Sequence, residues 1–215
     1  KQLIESLGRG RPGDLQPLTG VHPSYDLVSV RPKNLTPKVG GIDWLSDGRM
    51  VMCTWDPDGA VYLLDGVTAD DPQNISFKKI ASGLAEPLGL SVVDDRIFVL
   101  QKQELTELSD TNGDDIIDDY WTTCSGWPVS ANFHEFAFGL VPDGRDFIAT
   151  LAIAIDPGGR STQPQAPDRG TAVRLQRNGN YKVVAEGLRT PNGLGRGPGQ
   201  NIYIADNQGD WVPVS

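Results

Sequence analysis

Apolar residues are dispersed along the chain in short runs separated by tight turns, a pattern typical of β-strands. The clearest runs form a repeated unit. An apolar or glycine-rich strand leads into a tight turn, and a second strand rich in β-branched or aromatic residues follows. The unit occurs as GGIDWLSDGRMVMCTW, LGLSVVDDRIFVLQ, FAFGLVPDGRDFIATL and NGLGRGPGQNIYIAD. Turns of the Asp-Gly kind tolerate the positive φ that a tight hairpin needs, so each unit predicts a β-hairpin.

The predicted turns lie at Gly48, Asp95, Gly144 and Gly199, at intervals of roughly 50 residues. Second hairpin-like segments lie between them, namely GAVYLLDG, QELTELSD and GTAVRLQRNGNYKVVAEG. Each period therefore holds about four strands, which is typical of a β-propeller blade. The sequence predicts an all-β fold, a β-propeller of four-stranded antiparallel blades.

The repeats also predict how the chain is divided. Residues 1–39 form a lead-in segment, in which YDLVSVRP is a candidate strand for closing the ring of blades. Residues 40–215 form the blades, but the last repeat holds only the inner strands of a blade. Missing outer strands would leave an exposed sheet edge. We therefore expect the sequence to be the N-terminal portion of a larger, incomplete propeller.

Charge and composition exclude several classes of partner. Lys and Arg total 19 against 28 Asp and Glu, which gives a net charge of −9. An acidic chain without a basic cluster argues against nucleic acid as a partner. No apolar run is long enough to form a membrane span. The two cysteines, Cys53 and Cys124, form no CxxC motif and leave open whether they are bonded to each other.

One acidic loop has the composition of a calcium site. In DTNGDDIID, oxygen-bearing side chains fall at Asp110, Asn112, Asp114 and Asp118, and Ile116 would add a backbone carbonyl. Hard oxygen ligands in this number suit Ca²⁺ better than Zn²⁺. The spacing is similar to the first half of an EF-hand loop. The loop predicts a structural Ca²⁺ site, and the alternative is a solvated acidic turn.

His134 is the candidate catalytic base. It lies in SANFHEFAFG, at the start of a predicted inner strand. The ends of inner strands face the central axis of a propeller, and a neutral imidazole there can accept a substrate proton near neutral pH. The alternative is a packed histidine whose ring is hydrogen-bonded to a backbone carbonyl.

Three ordered motifs, NFHEFAFG, GLRTPNGLG and YIADNQGDW, resemble the glucose/sorbosone dehydrogenase family. The resemblance covers residues 22–215, or about four of six blades. It implies a six-bladed propeller that binds pyrroloquinoline quinone (PQQ) and Ca²⁺ and transfers hydride from a sugar or other polyol. It also implies a periplasmic or secreted bacterial protein, with a cytochrome as a possible electron acceptor.

The resemblance assigns roles to several residues. His134 takes the place of the family's general base. Arg189 matches the arginine of the family's cofactor-binding corner and would also act in catalysis, by stabilising the charge that develops. In that corner Thr190 replaces an asparagine and Asn192 replaces a glutamine. In the same family, backbone carbonyls of a Gln-Gly-Pro stretch hold the cofactor's Ca²⁺. The counterpart here is Gln208, Gly209 and Asp210, with aspartate in place of proline.

Two other functions stay open on the sequence. The TPNGLG and YIADN segments also resemble gluconolactonase-like propellers, in which Asn192 and Asp206 would bind a catalytic divalent metal and the protein would be a hydrolase. The other alternative is a calcium-stabilised propeller without enzymatic activity that binds glycans or proteins.

Overall fold

The computed structural model describes residues 28–68 and 74–207. The chain divides into two compact units, residues 1–30 and 31–215, and every described strand belongs to the second unit. The described part contains no α-helix, and a short 3₁₀ helix spans Pro198–Gln200. The strands are β1 (Val39–Trp44), β2 (Met50–Thr54), β3 (Val61–Asp65), β4 (Ser76–Ala81), β5 (Gly89–Val93), β6 (Arg96–Leu100), β7 (Glu104–Ser109), β8 (Asp119–Ser125), β9 (Ala137–Asp143), β10 (Asp146–Leu151), β11 (Thr171–Leu175), β12 (Tyr181–Glu186), β13 (Gly193–Arg196) and β14 (Ile202–Ala205).

The described strands form three four-stranded sheets and one hairpin. Strands β1–β4, β5–β8 and β9–β12 each build one sheet in chain order, and β13 pairs with β14. All of the strand pairs are antiparallel. The all-β class and the four-stranded antiparallel blades predicted from the repeat are confirmed. The described part of the fourth repeat holds two strands, and an incomplete propeller stays a prediction.

Each predicted turn joins the first two strands of its sheet. Gly48, Gly144 and Gly199 have φ values of 89°, 64° and 68°, and Asp95 has a φ of 58°. These backbone conformations favour glycine, and Asp tolerates them better than bulky side chains do. Local turn chemistry therefore explains why the hairpins could be predicted from the sequence.

The first strands of consecutive sheets lie against each other, with a glycine at each contact. A Cβ on Gly41 would come within 2.8 Å of the Leu90 backbone nitrogen, and one on Gly139 within 2.7 Å of the Leu194 side chain. A Cβ on Gly89 would collide with the Gly139 carbonyl. The glycines thus allow the inner strands β1, β5, β9 and β13 to pack closely in chain order.

The hydrophobic core lies between consecutive sheets. Phe98 of the second sheet and Phe147 of the third are fully buried, with ring centroids 4.9 Å apart. Cys53 and Cys124 are both buried and both free. Burial raises the pKa of the Cys53 thiol to about 12, so this cysteine behaves as a small apolar core residue.

Antiparallel pairing defines two opposite ends of the sheets. The turns between first and second strands, and the loops between third and fourth strands, lie at what we call the turn end. The segments leading into the inner strands lie at the opposite end, which we call the corner end. Hydrogen bonds join consecutive sheets at both ends, from Ser46 to Asp95 at the turn end and from Gly139 to Leu88 at the corner end.

Part of the predicted lead-in is described. Residues 28–38 contain no strand, and β1 begins at Val39. The remainder of the candidate ring-closing strand, residues 25–27, lies outside the described residues. Ring closure by this segment stays a prediction.

Candidate functional site at the corner end

His134 is half-buried just before β9, and its ring orientation is determined by one hydrogen bond. Its Nδ1 lies 3.0 Å from the carbonyl oxygen of Ile153. A carbonyl only accepts hydrogen bonds, so Nδ1 must carry the proton in the neutral ring. The lone pair of the neutral imidazole is then on Nε2. The ring also contacts Phe136, with centroids 5.2 Å apart. The hydrogen bond to a backbone carbonyl that the packed-histidine alternative expected is therefore present. It leaves the lone pair of Nε2 to accept a proton.

Asn132 holds the backbone around His134. Its Oδ1 accepts a hydrogen bond from the backbone N–H of His134 at 2.9 Å, and its Nδ2 donates to the carbonyl of Ile155 at 3.1 Å. One side chain therefore ties the segment before β9 to the long loop that follows β10. The segment carrying the imidazole is positioned from both sides.

A buried ion pair lies behind the same segment, and the sequence did not reveal it. The side chains of Glu135 and Arg169 are 1% and 0% exposed, and their charged atoms lie 3.9 Å apart. Arg169 also donates to the carbonyls of Pro128 and Phe136. Burial lowers the pKa of the Arg169 guanidinium, and the charge of Glu135 acts in the opposite direction. The pair joins the two loops that frame His134.

Arg189 lies in the corner before β13 and shares a backbone neighbour with His134. The carbonyl of Arg189 accepts a hydrogen bond from the N–H of Ile153 at 3.0 Å, while the carbonyl of Ile153 faces the imidazole of His134. Nη2 of Arg189 donates to the Gly159 carbonyl at 2.7 Å. The structure therefore brings two of the predicted site residues to opposite sides of one residue, at the corner end.

Asp206, at the end of β14, holds the Arg189 corner in place. Its two carboxylate oxygens accept hydrogen bonds from the backbone N–H groups of Arg189 and Thr190, at 2.9 and 2.8 Å. Asn192 is exposed in the same corner. The metal-ligand role that the hydrolase alternative gives to Asp206 would compete with these backbone hydrogen bonds. Gln208, Gly209 and Asp210 lie outside the described residues.

The predicted calcium loop lies elsewhere, at the turn end between β7 and β8. Asp110 accepts hydrogen bonds from the N–H groups of Gly113 and Asp115, at 2.7 and 2.8 Å. Desolvation raises the pKa of Asp110, but the backbone hydrogen bonds outweigh it and the net shift is downward. Asp118 accepts from Thr111 at 2.8 Å.

Cations of the first sheet neutralise this loop in part. Arg49 contacts Asp115 at 2.9 Å, and the Lys78 ammonium donates to the carbonyl of Asp114. Among the described residues, no three His, Cys, Asp or Glu side chains form a metal-binding group. Ca²⁺ binding by Asp110, Asn112, Asp114, Ile116 and Asp118 stays a prediction, at a site separate from His134.

The corner before β13 has a close counterpart before β5. Residues 83–90 read GLAEPLGL and residues 187–194 read GLRTPNGL. The two corners make equivalent backbone contacts, since Leu84 donates to Gly59 and Leu188 donates to Gly170. Glu86 and Thr190 occupy the same position, before the proline. An alignment of the repeats at this proline identifies Glu86 as a residue at the corner end.

Trp55, which follows β2, also lies at the corner end. Its side chain is 41% exposed, and its ring meets that of Phe136 edge to face, with centroids 6.0 Å apart. The rings of Trp55, Phe136 and His134 thus form a contiguous row. Isolated aromatic residues in the sequence gave no signal for this row, because it joins residues of the first and third sheets.

The comparisons with known proteins bear on the fold. No protein-family model and no curated protein matches the sequence. The holo form of the PQQ domain of pyranose dehydrogenase from Coprinopsis cinerea is similar in structure, with a TM-score of 0.61 and 16% identity over 80% of this chain and 44% of that chain. The sheets are blades of a β-propeller. The iodide and calcium structures of a Trichoderma reesei protein of Carbohydrate-Active Enzymes Family AA12 match with a TM-score of 0.55 and 15% identity, over 80% of this chain and 46% of theirs.

The likeness confirms the propeller prediction and concerns the fold alone. The chain spans less than half the length of the solved structures that it resembles. Among the described residues, no helix has the length and apolar character needed to cross a bilayer.

Proposed function

We propose that this chain is part of a PQQ- and Ca²⁺-dependent sugar dehydrogenase, an oxidoreductase that removes hydride from the carbon of a sugar hydroxyl group. The observation that carries the proposal is the placement of His134 and Arg189 at the corner end, on opposite sides of Ile153. The structural likeness to a PQQ domain of a pyranose dehydrogenase supports the same class of reaction.

His134 is suited to act as the general base. The bond from Nδ1–H to the Ile153 carbonyl leaves the lone pair of Nε2 to accept the proton of a substrate hydroxyl. Loss of that proton makes the adjacent carbon–hydrogen bond a hydride donor. When bound, PQQ with its Ca²⁺ supplies the two-electron acceptor.

The Arg189 corner has groups that fit such a cofactor. The guanidinium is held by the Gly159 carbonyl, and a positive charge suits the carboxylate and carbonyl oxygens of a quinone. The hydroxyl of Thr190 is buried without a hydrogen-bond partner, which marks a group that a bound molecule can satisfy. We assign Arg189, Thr190 and Asn192 to cofactor binding, together with Gln208, Gly209 and Asp210 from the resemblance.

The proposal extends to partners and location. Electrons would leave to an acceptor, for which we propose a cytochrome, supplied by a partner or by a region of the protein outside this sequence. A periplasmic or secreted location in a bacterium suits this chemistry.

The first experiment measures binding of PQQ in the presence of Ca²⁺, by the absorbance of the quinone and by calorimetry. We expect binding by the wild-type protein and a loss of about tenfold or more in Arg189→Ala, since charge-assisted hydrogen bonds are lost. Arg145→Ala is the control, because Arg145 is an exposed arginine in the β9–β10 turn, at the opposite end of the sheets. Absence of quinone binding by the wild type would overturn the cofactor assignment and favour the non-enzymatic alternative.

The second experiment follows oxidation of aldoses with an artificial electron acceptor, using the full-length protein reconstituted with PQQ and Ca²⁺. His134→Ala should lower turnover by about 10²–10⁴-fold through loss of the base. His22→Ala, which removes the other histidine of the sequence, is the matched control. Equal loss in both variants, or no loss in His134→Ala, would contradict the role of His134. Lactone hydrolysis without quinone would favour the hydrolase.

A further inference from the structure

The two equivalent corners share an unusual feature. In each, the residue before the proline carries a buried side-chain oxygen without a hydrogen-bond partner, Oε2 of Glu86 and Oγ1 of Thr190. Buried polar atoms are usually paired, and the described part of the chain has only one other side-chain exception, Nε of Arg177. The same unpaired group at the same position of two blades makes these corners candidates for contact with a ligand.

Glu86 also has a strained backbone. Its φ is 51°, in the left-handed region that residues other than glycine, asparagine and aspartate mostly avoid. The following Pro87 restricts it further, because a proline ring disfavours compact conformations of the preceding residue. Strain of this kind clusters at functional sites. Glycine would relieve it, so the local structure gives no reason for a glutamate here.

The Glu86 side chain borders an open cleft at the corner end. The cleft holds about 380 Å³ and is lined by Trp55, Asp56, Lys38 and Glu86 among others. That volume lies within the roughly 300–1,000 Å³ of small-molecule sites. An exposed indole thus shares the cleft with two carboxylates and one ammonium group.

The charges in the cleft select the class of ligand. The ammonium of Lys38 lies 5.7 Å from the Trp55 ring centroid, and that of Lys102 lies 3.7 Å from Oε1 of Glu86. Glu86 therefore already has a cation nearby, and a second ammonium group lies over the indole, which disfavours a cationic ligand. A neutral molecule with apolar C–H groups and many hydroxyl groups can pack against the indole, donate to the carboxylates and accept from the ammonium group.

The cleft is connected to His134 along two routes. One is the ring row from Trp55 through Phe136 to the imidazole. The other is polar: Lys102, beside Glu86, donates to the carbonyl of Asn132 at 3.0 Å, and the Asn132 side chain accepts from the backbone of His134. A ligand in the cleft would therefore adjoin the proposed base.

We propose that this cleft is a sugar-binding subsite, in which a pyranose ring packs against the exposed part of the Trp55 indole and a ring hydroxyl donates to the carboxylate of Glu86, whose side chain is 37% exposed. The choice of a sugar rests on the proposed function. The binding itself needs neither quinone nor metal, so the two proposals can fail separately.

The test is calorimetric titration of the metal-free, quinone-free protein with D-glucose, D-galactose and cellobiose. We expect weak binding by the wild type and a loss of about tenfold or more in both Trp55→Ala and Glu86→Gln. The matched controls are Trp121→Ala and Glu186→Gln, which remove an exposed tryptophan and an exposed glutamate of outer strands β8 and β12 and should bind as the wild type does.

Thermal unfolding separates a ligand role from a structural one. Glu86→Gly should raise the melting temperature, because it relieves the backbone strain, and should still lose sugar binding. A fall in melting temperature in parallel with the loss of binding would show that Glu86 is a structural residue and would overturn the proposal. So would the absence of sugar binding by the wild type, or equal binding by the Trp55 and control variants. Quinone binding could persist in any of these cases.

Discussion

The buried Glu135–Arg169 pair gives the sharpest prediction of stability. In Glu135→Gln the side chain keeps its size and an acceptor oxygen, but the Arg169 guanidinium loses its counter-charge at a position that is 0% exposed. Two unit charges 3.9 Å apart interact by about 4 kcal/mol at an effective dielectric constant of about 20. Hydrogen bonds from Arg169 to the new amide and to the two backbone carbonyls recover part of this interaction energy. We therefore expect the free energy of unfolding to fall by about 3 kcal/mol, at the low end for a broken buried pair.

For a domain of this size, about 3 kcal/mol corresponds to a fall in melting temperature of roughly 6–12 °C. Urea unfolding followed by tryptophan fluorescence, together with thermal unfolding followed by circular dichroism, measures both quantities. The matched control is Asp58→Asn, which breaks the Lys79–Asp58 pair. That pair is shorter, at 2.6 Å, but its side chains are 46% and 45% exposed, and water screens exposed charges.

The comparison of the two variants tests the reasoning directly. If burial determines the strength of an ion pair, the longer buried pair matters more than the shorter exposed one. Equal melting temperatures for the two variants, or a larger fall in Asp58→Asn, would refute this. Urea slopes should stay unchanged, because a change in slope would mean that the variants differ in compactness as well as in stability.

Three further predictions follow from the fold. Gly89→Ala should destabilise the protein by about 1–3 kcal/mol, because the added Cβ collides with the backbone of the next inner strand. Gly195→Ala, which has open space at its Cβ, should change the stability in urea far less. Similar losses in the two variants would contradict the close packing of the inner strands. Burial, and then the hydrogen bond to a carboxylate, raise the pKa of Tyr181 to about 12. The neutral Tyr181 hydroxyl stabilises the folded state fully below the unfolded pKa of about 10, and this stabilisation is lost as the pH rises to about 12. The difference in urea stability between the wild type and Tyr181→Phe should therefore shrink in that interval. A constant difference would refute the shift. Ca²⁺ should raise the melting temperature of the wild type, and a chelator should reverse the rise. Asp110→Asn should abolish the rise, while Asp94→Asn, in the exposed β5–β6 turn, should retain it. The absence of a thermal shift in the wild type would exclude the calcium site.

The sequence by itself determined the elements whose causes are local. The turn at Gly48 and its three counterparts follow from residues that accept a positive φ, and the strands follow from short runs of apolar, β-branched and aromatic residues bounded by turn residues. Regular repetition of these signals was sufficient for the propeller prediction. The glycines of the inner strands were visible as letters, but their purpose was not, because each is required by the backbone of a different blade.

Only the tertiary structure decided how the candidate site is assembled. Ile153 lies between His134 and Arg189, and Arg169 reaches Glu135 from a distant loop. These contacts join segments of different strands, and no local pattern specifies them. The same holds for Trp55 and Glu86, which became candidates only when the packing of blades placed an exposed ring and an unpartnered oxygen beside one cleft. Burial and long-range contact, which give these residues their chemistry, exist only once the blades have packed against one another.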